Sequence, residues 1–429
     1  MILTIMIVVF VLGYLAIALE HSIKVDKAAS ALIIGALGWS LFAFSGVDPH
    51  HITEELQHHL VDIAEILFFL LGAMTIVELI DAHEGFAIIT NKITTNKKVA
   101  LMWILSLITF FFSAALDNLT TSIVMAALLT KLIKEKETLW MFAGIVILIA
   151  NAGGAWSPIG DITTIMLWIG GQITATSIIT NIFIPSLVCA LVPLIYLSFK
   201  LKGEIERPTL VKSKEHYADP TSLFERKLIF YMGVGGLLFV PIFKTVTHLP
   251  PYLGMMLSLG VLWLTTEIIH RSKNYEQRAD LSVIGVLKKI DVPTIFFFLG
   301  ILLAVASLQS AGQLDIVAKY LDKTFDGNIY AINIIIGLLS SIVDNVPLVA
   351  GAMGMYEVQS IGDYAVDGKF WQFLAYCAGT GGSVLIIGSA AGVAVMGILK
   401  VDFIWYMKKI SFLALMGYLA GAGTYYLMQ

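Results

Sequence analysis

Three aspartates lie deep inside apolar stretches of the sequence: Asp117, Asp161 and Asp344. A charged side chain at the centre of a lipid bilayer costs at least about 2.5–3.5 kcal/mol on insertion scales, so an acid in such a place demands an explanation. A carboxylate buried in this way can bind a proton or a cation. We therefore take the three aspartates as the ionisable core of a candidate ion site.

An asparagine follows two of these acids, giving Asp117-Asn118 and Asp344-Asn345. Each pair lies in the middle of an apolar region that resembles a helical hairpin, over 99–133 and 329–356. A hairpin that re-enters the membrane would place carboxylate, amide and freed carbonyl oxygens at its tip. The alternative is that each hairpin spans the membrane fully and that Asp-Asn marks a solvated turn.

The third acid lies in a segment, 151–164, that contains Gly153-Gly154 and Ser157-Pro158. These residues predict a broken helix, whose exposed backbone groups must face protein or a water-filled cavity. Close helix packing is the structural alternative for the glycines. Hard cations prefer carboxylate, carbonyl and hydroxyl oxygens. The predicted residues of a site for a hard cation or a proton are therefore Asp117, Asn118, Asn151, Asp161, Thr163, Thr164, Asp344, Asn345 and Ser389.

The elements that hold these residues are predicted to be transmembrane helices. The chain is 58% hydrophobic and 14% charged, against about 25% charged residues in soluble domains. The net charge of −4 suggests no nucleic-acid partner, and the two cysteines form neither a disulfide framework nor a metal-ligand spacing. Two apolar stretches, 139–170 and 370–398, are longer than one pass and interrupted by glycines. Single passes fit at 2–19, 28–46, 61–80, 178–199, 228–243, 252–269, 292–310 and 410–428.

The basic residues indicate an orientation. Of the 27 lysines and arginines, all but Lys244, Lys319, Lys323 and Lys369 fall in alternate loops. Since cytoplasmic loops carry the excess of Lys and Arg, these loops are predicted to be cytoplasmic and both termini periplasmic, in a bacterial inner membrane. The basic loops are 20–27, 81–98, 131–137, 200–227, 270–291 and 400–409.

The two halves of the chain resemble each other weakly at an offset of about 228 residues. Asp117-Asn118 corresponds to Asp344-Asn345, and Gly160-Asp161 corresponds to Gly388-Ser389. We predict an all-α polytopic membrane protein with a first repeat over 1–199, a cytoplasmic linker over 200–227 and a second repeat over 228–429. Each repeat has five transmembrane passes, one of them discontinuous, plus a re-entrant hairpin, so the second copy enters the membrane inverted. Chance similarity of small residues is the alternative.

Four histidines, His50, His51, His58 and His59, cluster in a region without Lys or Arg. A zinc site and a pH sensor are both open for them. An interfacial amphipathic helix from Ile52 onward is the interpretation that we prefer.

These motifs, in this order and spacing, resemble the NhaD-type sodium/proton antiporters of the ion transporter superfamily. The resemblance covers almost the whole chain, although relatives that transport dicarboxylates carry Ser-Asn-Thr where this chain has Asp-Asn. It implies a homodimer in the lipid bilayer, with scaffold and transport regions. It also implies sodium/proton exchange. We hypothesise that cytoplasmic Na⁺, and Li⁺ as well, is exchanged for external H⁺ by alternating access, with both ions competing for the buried aspartates. We expect no cofactor beyond the transported ions.

Three other functions stay open on the sequence alone. A sodium-coupled anion or dicarboxylate symporter on the same fold would need a cationic or amide-rich pocket, and the predicted span cores contain no Lys or Arg. An intramembrane aspartyl protease usually carries Gly-x-Gly-Asp, but Pro158 replaces its first glycine here. A passive channel would not require a repeat with acid-lined helix breaks.

Overall fold

The computed structural model describes residues 2–18, 20–90, 93–206, 221–271, 273–342 and 344–429. Over these ranges the chain forms α-helices joined by short connections, and no β-strand longer than an isolated bridge. The helices are α1 (Ile2–Ala18), α2 (Glu20–Ile23), α3 (Lys27–Ala43), α4 (Pro49–Ala82), α5 (Ala87–Thr90), α6 (Lys98–Leu116), α7 (Asn118–Leu132), α8 (Lys136–Ala155), α9 (Ile162–Ile169), α10 (Ala175–Lys200), α11 (Leu223–Thr247), α12 (Pro251–Ile269), α13 (Tyr275–Leu281), α14 (Val283–Leu287), α15 (Val292–Ser310), α16 (Gln313–Phe325), α17 (Ile329–Leu339), α18 (Asn345–Met355), α19 (Lys369–Gly381), α20 (Ala390–Leu399), α21 (Phe403–Lys409) and α22 (Ser411–Met428).

Seven helices in the described ranges are long and apolar enough to cross a membrane: α4, α6, α8, α10, α11, α12 and α15. Five of them, and the apolar helices α1, α3 and α22, coincide within five residues with predicted passes or hairpin arms. Helix α8 forms the first part of the predicted stretch 139–170, and α4 begins well before the predicted pass at 61–80. The chain is therefore an all-α, multi-pass membrane protein, as the composition predicts. The centre of the predicted linker, residues 207–220, lies outside the described ranges.

Helix α4 differs from the prediction for the histidine region. It is a single helix of 34 residues that begins at Pro49, with Asp48 as the N-cap, and no separate interfacial helix precedes the membrane pass. At 1.5 Å per residue it is about 50 Å long, which exceeds the hydrocarbon thickness of about 30 Å. The helix is therefore longer than one membrane pass requires, and its first turns carry the four histidines.

The predicted discontinuous helices are broken in the structure. Helix α8 ends at Ala155 and α9 begins at Ile162, while α19 ends at Gly381 and α20 begins at Ala390. Gly153 lies inside α8, so it does not break the helix. A Cβ atom on Gly153 would overlap the Phe110 carbonyl of α6. The break therefore comes from the segment around Ser157-Pro158, and the glycine serves close helix packing.

Several contacts recur at the offset seen in the sequence. Ser113 Oγ donates to the Ala150 carbonyl at 2.5 Å, and Ser340 Oγ donates to the Ala378 carbonyl at 3.0 Å. Helix α6 packs against α8 as α17 packs against α19. The second arm of each hairpin also packs on a half-helix from the other half of the chain, α7 on α20 and α18 on α9. The two halves of the chain therefore interlock at the breaks.

Candidate functional site

Asp161 is the N-cap of the half-helix α9. Its backbone is extended, at φ −147° and ψ 145°, and its carboxylate accepts the Thr163 amide at 2.8 Å and the Thr163 hydroxyl at 2.7 Å. Thr164 donates its hydroxyl to the Asp161 carbonyl at 2.8 Å. The break in the helix thus turns the Asp161 side chain back towards the start of α9, where an anion is favoured by the free backbone amides.

The Asp161 carboxylate also receives side-chain amides from the first residues of α7 and α18, which are the asparagines at the two predicted hairpin tips. Asn118 Nδ2 donates to Asp161 Oδ2 at 2.6 Å, and Asn345 Nδ2 lies 3.4 and 3.5 Å from the two carboxylate oxygens. Asp161 is 1% exposed and both asparagines are 4% exposed. The carboxylate is therefore buried where both halves of the chain meet, and the groups that satisfy it are neutral amides and a hydroxyl.

Asn151 joins this cluster to the second half-helix. Its Oδ1 accepts from Asn118 at 3.0 Å, while its Nδ2 donates to Ser383 Oγ and to Ser389 Oγ, each at 3.0 Å. Ser389 is the N-cap of α20 with φ −145° and ψ 151°, which closely matches the backbone of Asp161. The structure therefore brings Asn118, Asn151, Asp161, Thr163, Asn345 and Ser389 into one buried network. Ser383 also belongs to it and was absent from the predicted set.

The other two aspartates make their hydrogen bonds elsewhere. Asp117 has a positive φ of 80° and caps its own helix, accepting the Thr120 amide at 2.7 Å and the Thr120 hydroxyl at 2.8 Å. Asp344 accepts the Val346 amide at 3.3 Å as the N-cap of α18. Each therefore shapes the hairpin tip that presents the neighbouring asparagine to Asp161.

Asp344 also pairs with a lysine that the sequence analysis assigned to a basic loop. Lys27 Nζ lies 3.2 Å from Asp344 Oδ2, with the two side chains 19% and 12% exposed, and 4.2 Å from the centroid of the Phe297 ring. Lys27 is the first residue of α3, where the helix dipole disfavours a cation. A lysine at the first position of an apolar helix needs a compensating anion. This position in the sequence is the signal that could have identified Lys27 as the partner of a buried acid.

A cavity of about 250 Å³ opens between helices α4, α9, α15 and α18. Its inner wall includes Met166 and Ile169 of α9 and Ala350 and Met353 of α18. Asp161 is the N-cap of α9, and Asn345 is the first residue of α18. The remaining walls come from α4 and α15, and the acids and histidines at the mouth come from α4: His58, His59, Asp62 and Glu65.

A second lysine caps the far end of α9. Lys244 Nζ, from α11, donates to the Trp168 carbonyl at 2.6 Å and lies 4.6 Å from the centroid of the Trp168 ring. The last carbonyls of a helix lack intrahelical partners, and a cation there is favourable. Lys244 therefore ties a long helix to the half-helix that carries Asp161.

Residues 2–369 match a protein-family model described as "Citrate transporter". The chain is 46% identical over 98% of its length to sodium/proton antiporter 1 of Arabidopsis thaliana, covering 71% of that protein, and 44% identical over 98% of its length to sodium/proton antiporter 2 of the same plant, covering 98% of it. It is 30% identical over 93% of its length to the Na(+)/H(+) antiporter NhaD of Vibrio cholerae, covering 86% of that protein. These matches confirm the resemblance drawn from the Asp-Asn motifs and the segment 151–164.

Proposed function

We propose that this chain, which belongs to the citrate transporter family, whose members are transporters and not enzymes, exchanges cytoplasmic Na⁺ for external H⁺ by alternating access. Li⁺ is the second substrate in this proposal. The observation that carries this proposal is the Asp161 carboxylate, which is buried at the junction of both hairpin tips and both half-helices. Relatives of the chain are named sodium/proton antiporters, which supports Na⁺ and H⁺ as the two exchanged ions.

The donor set suits an exchange of a cation for a proton. Asn118, Asn345 and Thr163 point N–H or O–H groups at Asp161, an arrangement that satisfies the carboxylate when no cation is bound. An asparagine offers either a donor or an acceptor by rotating its amide. When Na⁺ binds Asp161, these side chains would turn their oxygens towards it, and a proton on the carboxylate would displace the ion.

Movement would follow from the interlocking of the halves. Asp161 is held by tips from both halves, so any rocking of the half-helices against the hairpins changes the ion's surroundings from one side of the membrane to the other. The recurrence of contacts at the sequence offset supports inverted repeats over 1–199 and 228–429, the architecture in which such sites lie at the repeat interface. The same proposal includes three further points. Both termini are periplasmic, the hairpins re-enter the membrane and do not span it, and the protein is a homodimer.

A sodium-coupled anion symporter is the second candidate, because the matching family model is described as a transporter of citrate, which is an anion. The Asp161 network weighs against it: among the described residues, no lysine or arginine forms an ion pair with Asp161. An anionic substrate at that position would meet a carboxylate without a cation to offset the repulsion.

The test is proton flux in proteoliposomes with an imposed inside-acidic pH gradient, read on adding Na⁺, Li⁺ or K⁺. We expect Na⁺ to collapse the gradient in the wild type and not in Asp161→Asn. The matched control is Asp291→Asn, because Asp291 caps α15 through Thr294 in the same manner but is exposed. Sodium-dependent dicarboxylate uptake without a cation-driven gradient collapse would replace the antiporter with the symporter.

A further inference from the structure

The mouth of the cavity carries a cluster of metal-binding groups that the exchange mechanism does not use. One ligand atom from each of His58, His59 and Asp62 lies within 4.8 Å of the others. His58 Nδ1 is 3.9 Å from Asp62 Oδ2, one helical turn away on α4. We propose that these three residues form a binding site for a divalent transition-metal ion of the zinc type, and that the bound ion inhibits cation exchange.

The chemistry of the three donors selects the class of metal. Two imidazoles and one carboxylate suit Zn²⁺, Ni²⁺ or Cu²⁺, whereas Mg²⁺ and Ca²⁺ prefer oxygen ligands alone. Three protein ligands plus one water complete a tetrahedral zinc site, with metal–ligand distances of about 2.0–2.2 Å. Such distances require the His58 and Asp62 atoms to approach by a few tenths of an ångström. Both side chains are free to do so, since they are 78% and 66% exposed.

His59 is held in a tautomer that leaves one nitrogen open. Ser310 Oγ donates to Glu55 Oε2 at 3.1 Å, so the 3.2 Å contact between His59 Nε2 and Ser310 Oγ has the histidine as donor. The lone pair that a metal requires is then on Nδ1. Hydrogen bonds of this kind orient the ligands of metal sites and raise their affinity. The half-buried His59, packed beside Trp39 with ring centroids 6.1 Å apart, supplies the rigid ligand of the cluster.

The position of the cluster gives the bound ion an effect on transport. His58, Asp62 and Glu65 form one stripe of α4 along the cavity, whose inner wall is made by α9 and α18. A divalent charge on this stripe repels a cation that enters the cavity and neutralises the acids that attract it. We expect Zn²⁺ to slow exchange, and this consequence, unlike the binding itself, rests on the proposed function.

Binding is measured first and without transport, by titrating the purified full-length protein with Zn²⁺ and, separately, with Mg²⁺ in a calorimeter. We expect one Zn²⁺ per chain, no Mg²⁺ binding at this cluster, and a loss of Zn²⁺ affinity of at least about tenfold in His58→Gln and in Asp62→Asn. Both side chains are mostly exposed, so neither substitution threatens folding. The matched control is His50→Gln, an exposed histidine in the first turn of the same helix.

Transport follows in proteoliposomes with Zn²⁺ on both sides. Inhibition of the wild type and of His50→Gln, relieved by a chelator and weakened in His58→Gln, supports the inference. Zn²⁺ affinity that is unchanged in His58→Gln and Asp62→Asn overturns the site, whatever the transport result. Wild-type Zn²⁺ binding at this cluster with undiminished exchange overturns the inhibition alone. A protein that binds Zn²⁺ as expected but exchanges no cation contradicts the proposed function and leaves the metal site standing.

Discussion

The ion pair between Lys27 and Asp344 offers the sharpest test of how charge is arranged around the site. The two charged atoms lie 3.2 Å apart with both side chains mostly buried, so their gross attraction is about 5 kcal/mol at an effective dielectric constant of about 20. Replacing Lys27 by Gln leaves the carboxylate of Asp344 without its cation. Breaking a fully buried pair costs about 3–5 kcal/mol, and because this pair keeps some exposure we expect about 2–3 kcal/mol.

The assay is thermal unfolding of the detergent-purified protein, in buffers with Na⁺ or with a large organic cation. We expect Lys27→Gln to unfold several degrees below the wild type, and to regain more stability from Na⁺ than the wild type does, because Na⁺ can take the place of the missing ammonium group. Lys24→Gln is the matched control: Lys24 is exposed, three residues earlier in the same basic loop. It should unfold like the wild type.

A double-mutant cycle separates the pair from other effects of the substitution. In Lys27→Gln/Asp344→Asn the uncompensated charge is gone, so most of the lost stability should return. Equal unfolding temperatures for Lys27→Gln and Lys24→Gln would refute the reasoning. So would a double variant whose loss equals the sum of the two single losses, since the residues would then not interact energetically.

Two further predictions concern packing and pH. Gly153→Ala should lower the unfolding temperature, because its Cβ would overlap the backbone of α6, whereas Gly235→Ala, which has no neighbouring atom within 4 Å, should be neutral or slightly stabilising; equal effects of the two would contradict the close approach of α6 and α8. Burial lowers the pKa of His270 to about 4 and also lowers the pKa of His83, the stacked partner whose Nε2 lies 3.3 Å from that of His270. In the unfolded chain these histidines bind protons near pH 6.5, whereas in the folded chain they stay neutral to lower pH, so stability should fall as the pH drops from about 7 towards 4. Unfolding temperatures across this range should change less steeply in His83→Gln/His270→Gln. An unchanged slope would show that other groups cause the effect.

The sequence predicts local features of this molecule well. A membrane pass needs a continuous apolar run, and a Ser-Pro pair stops a helix, so both can be located from neighbouring residues alone. The same reasoning singled out Asp161 and the asparagines that contact it. Where the outcome depended on a partner far along the chain, the prediction was incomplete.

Two cases illustrate this limit. Lys27 and Asp344 are 317 residues apart, and the sequence around either residue does not predict its partner. Gly153 was predicted to help break its helix, but it remains helical because the space beside it is filled by the backbone of α6. In both cases the deciding contact is tertiary, and a single sequence without its fold does not contain it.

The arrangement also gives a reason for the different N-cap residues of the half-helices α9 and α20. Asp161 and Ser389 cap α9 and α20 with nearly the same backbone geometry. Asn151 connects the two caps, because it donates to Ser389 and accepts from Asn118, which in turn donates to Asp161. An acid at both positions would place two carboxylates around one small amide network, where like charges disfavour joint ionisation. A serine at the second position keeps the oxygen ligand and removes that repulsion. The charge of Asp344 is balanced separately by Lys27. The carboxylate of Asp161 is met only by neutral groups, which fits the ion site that we propose there.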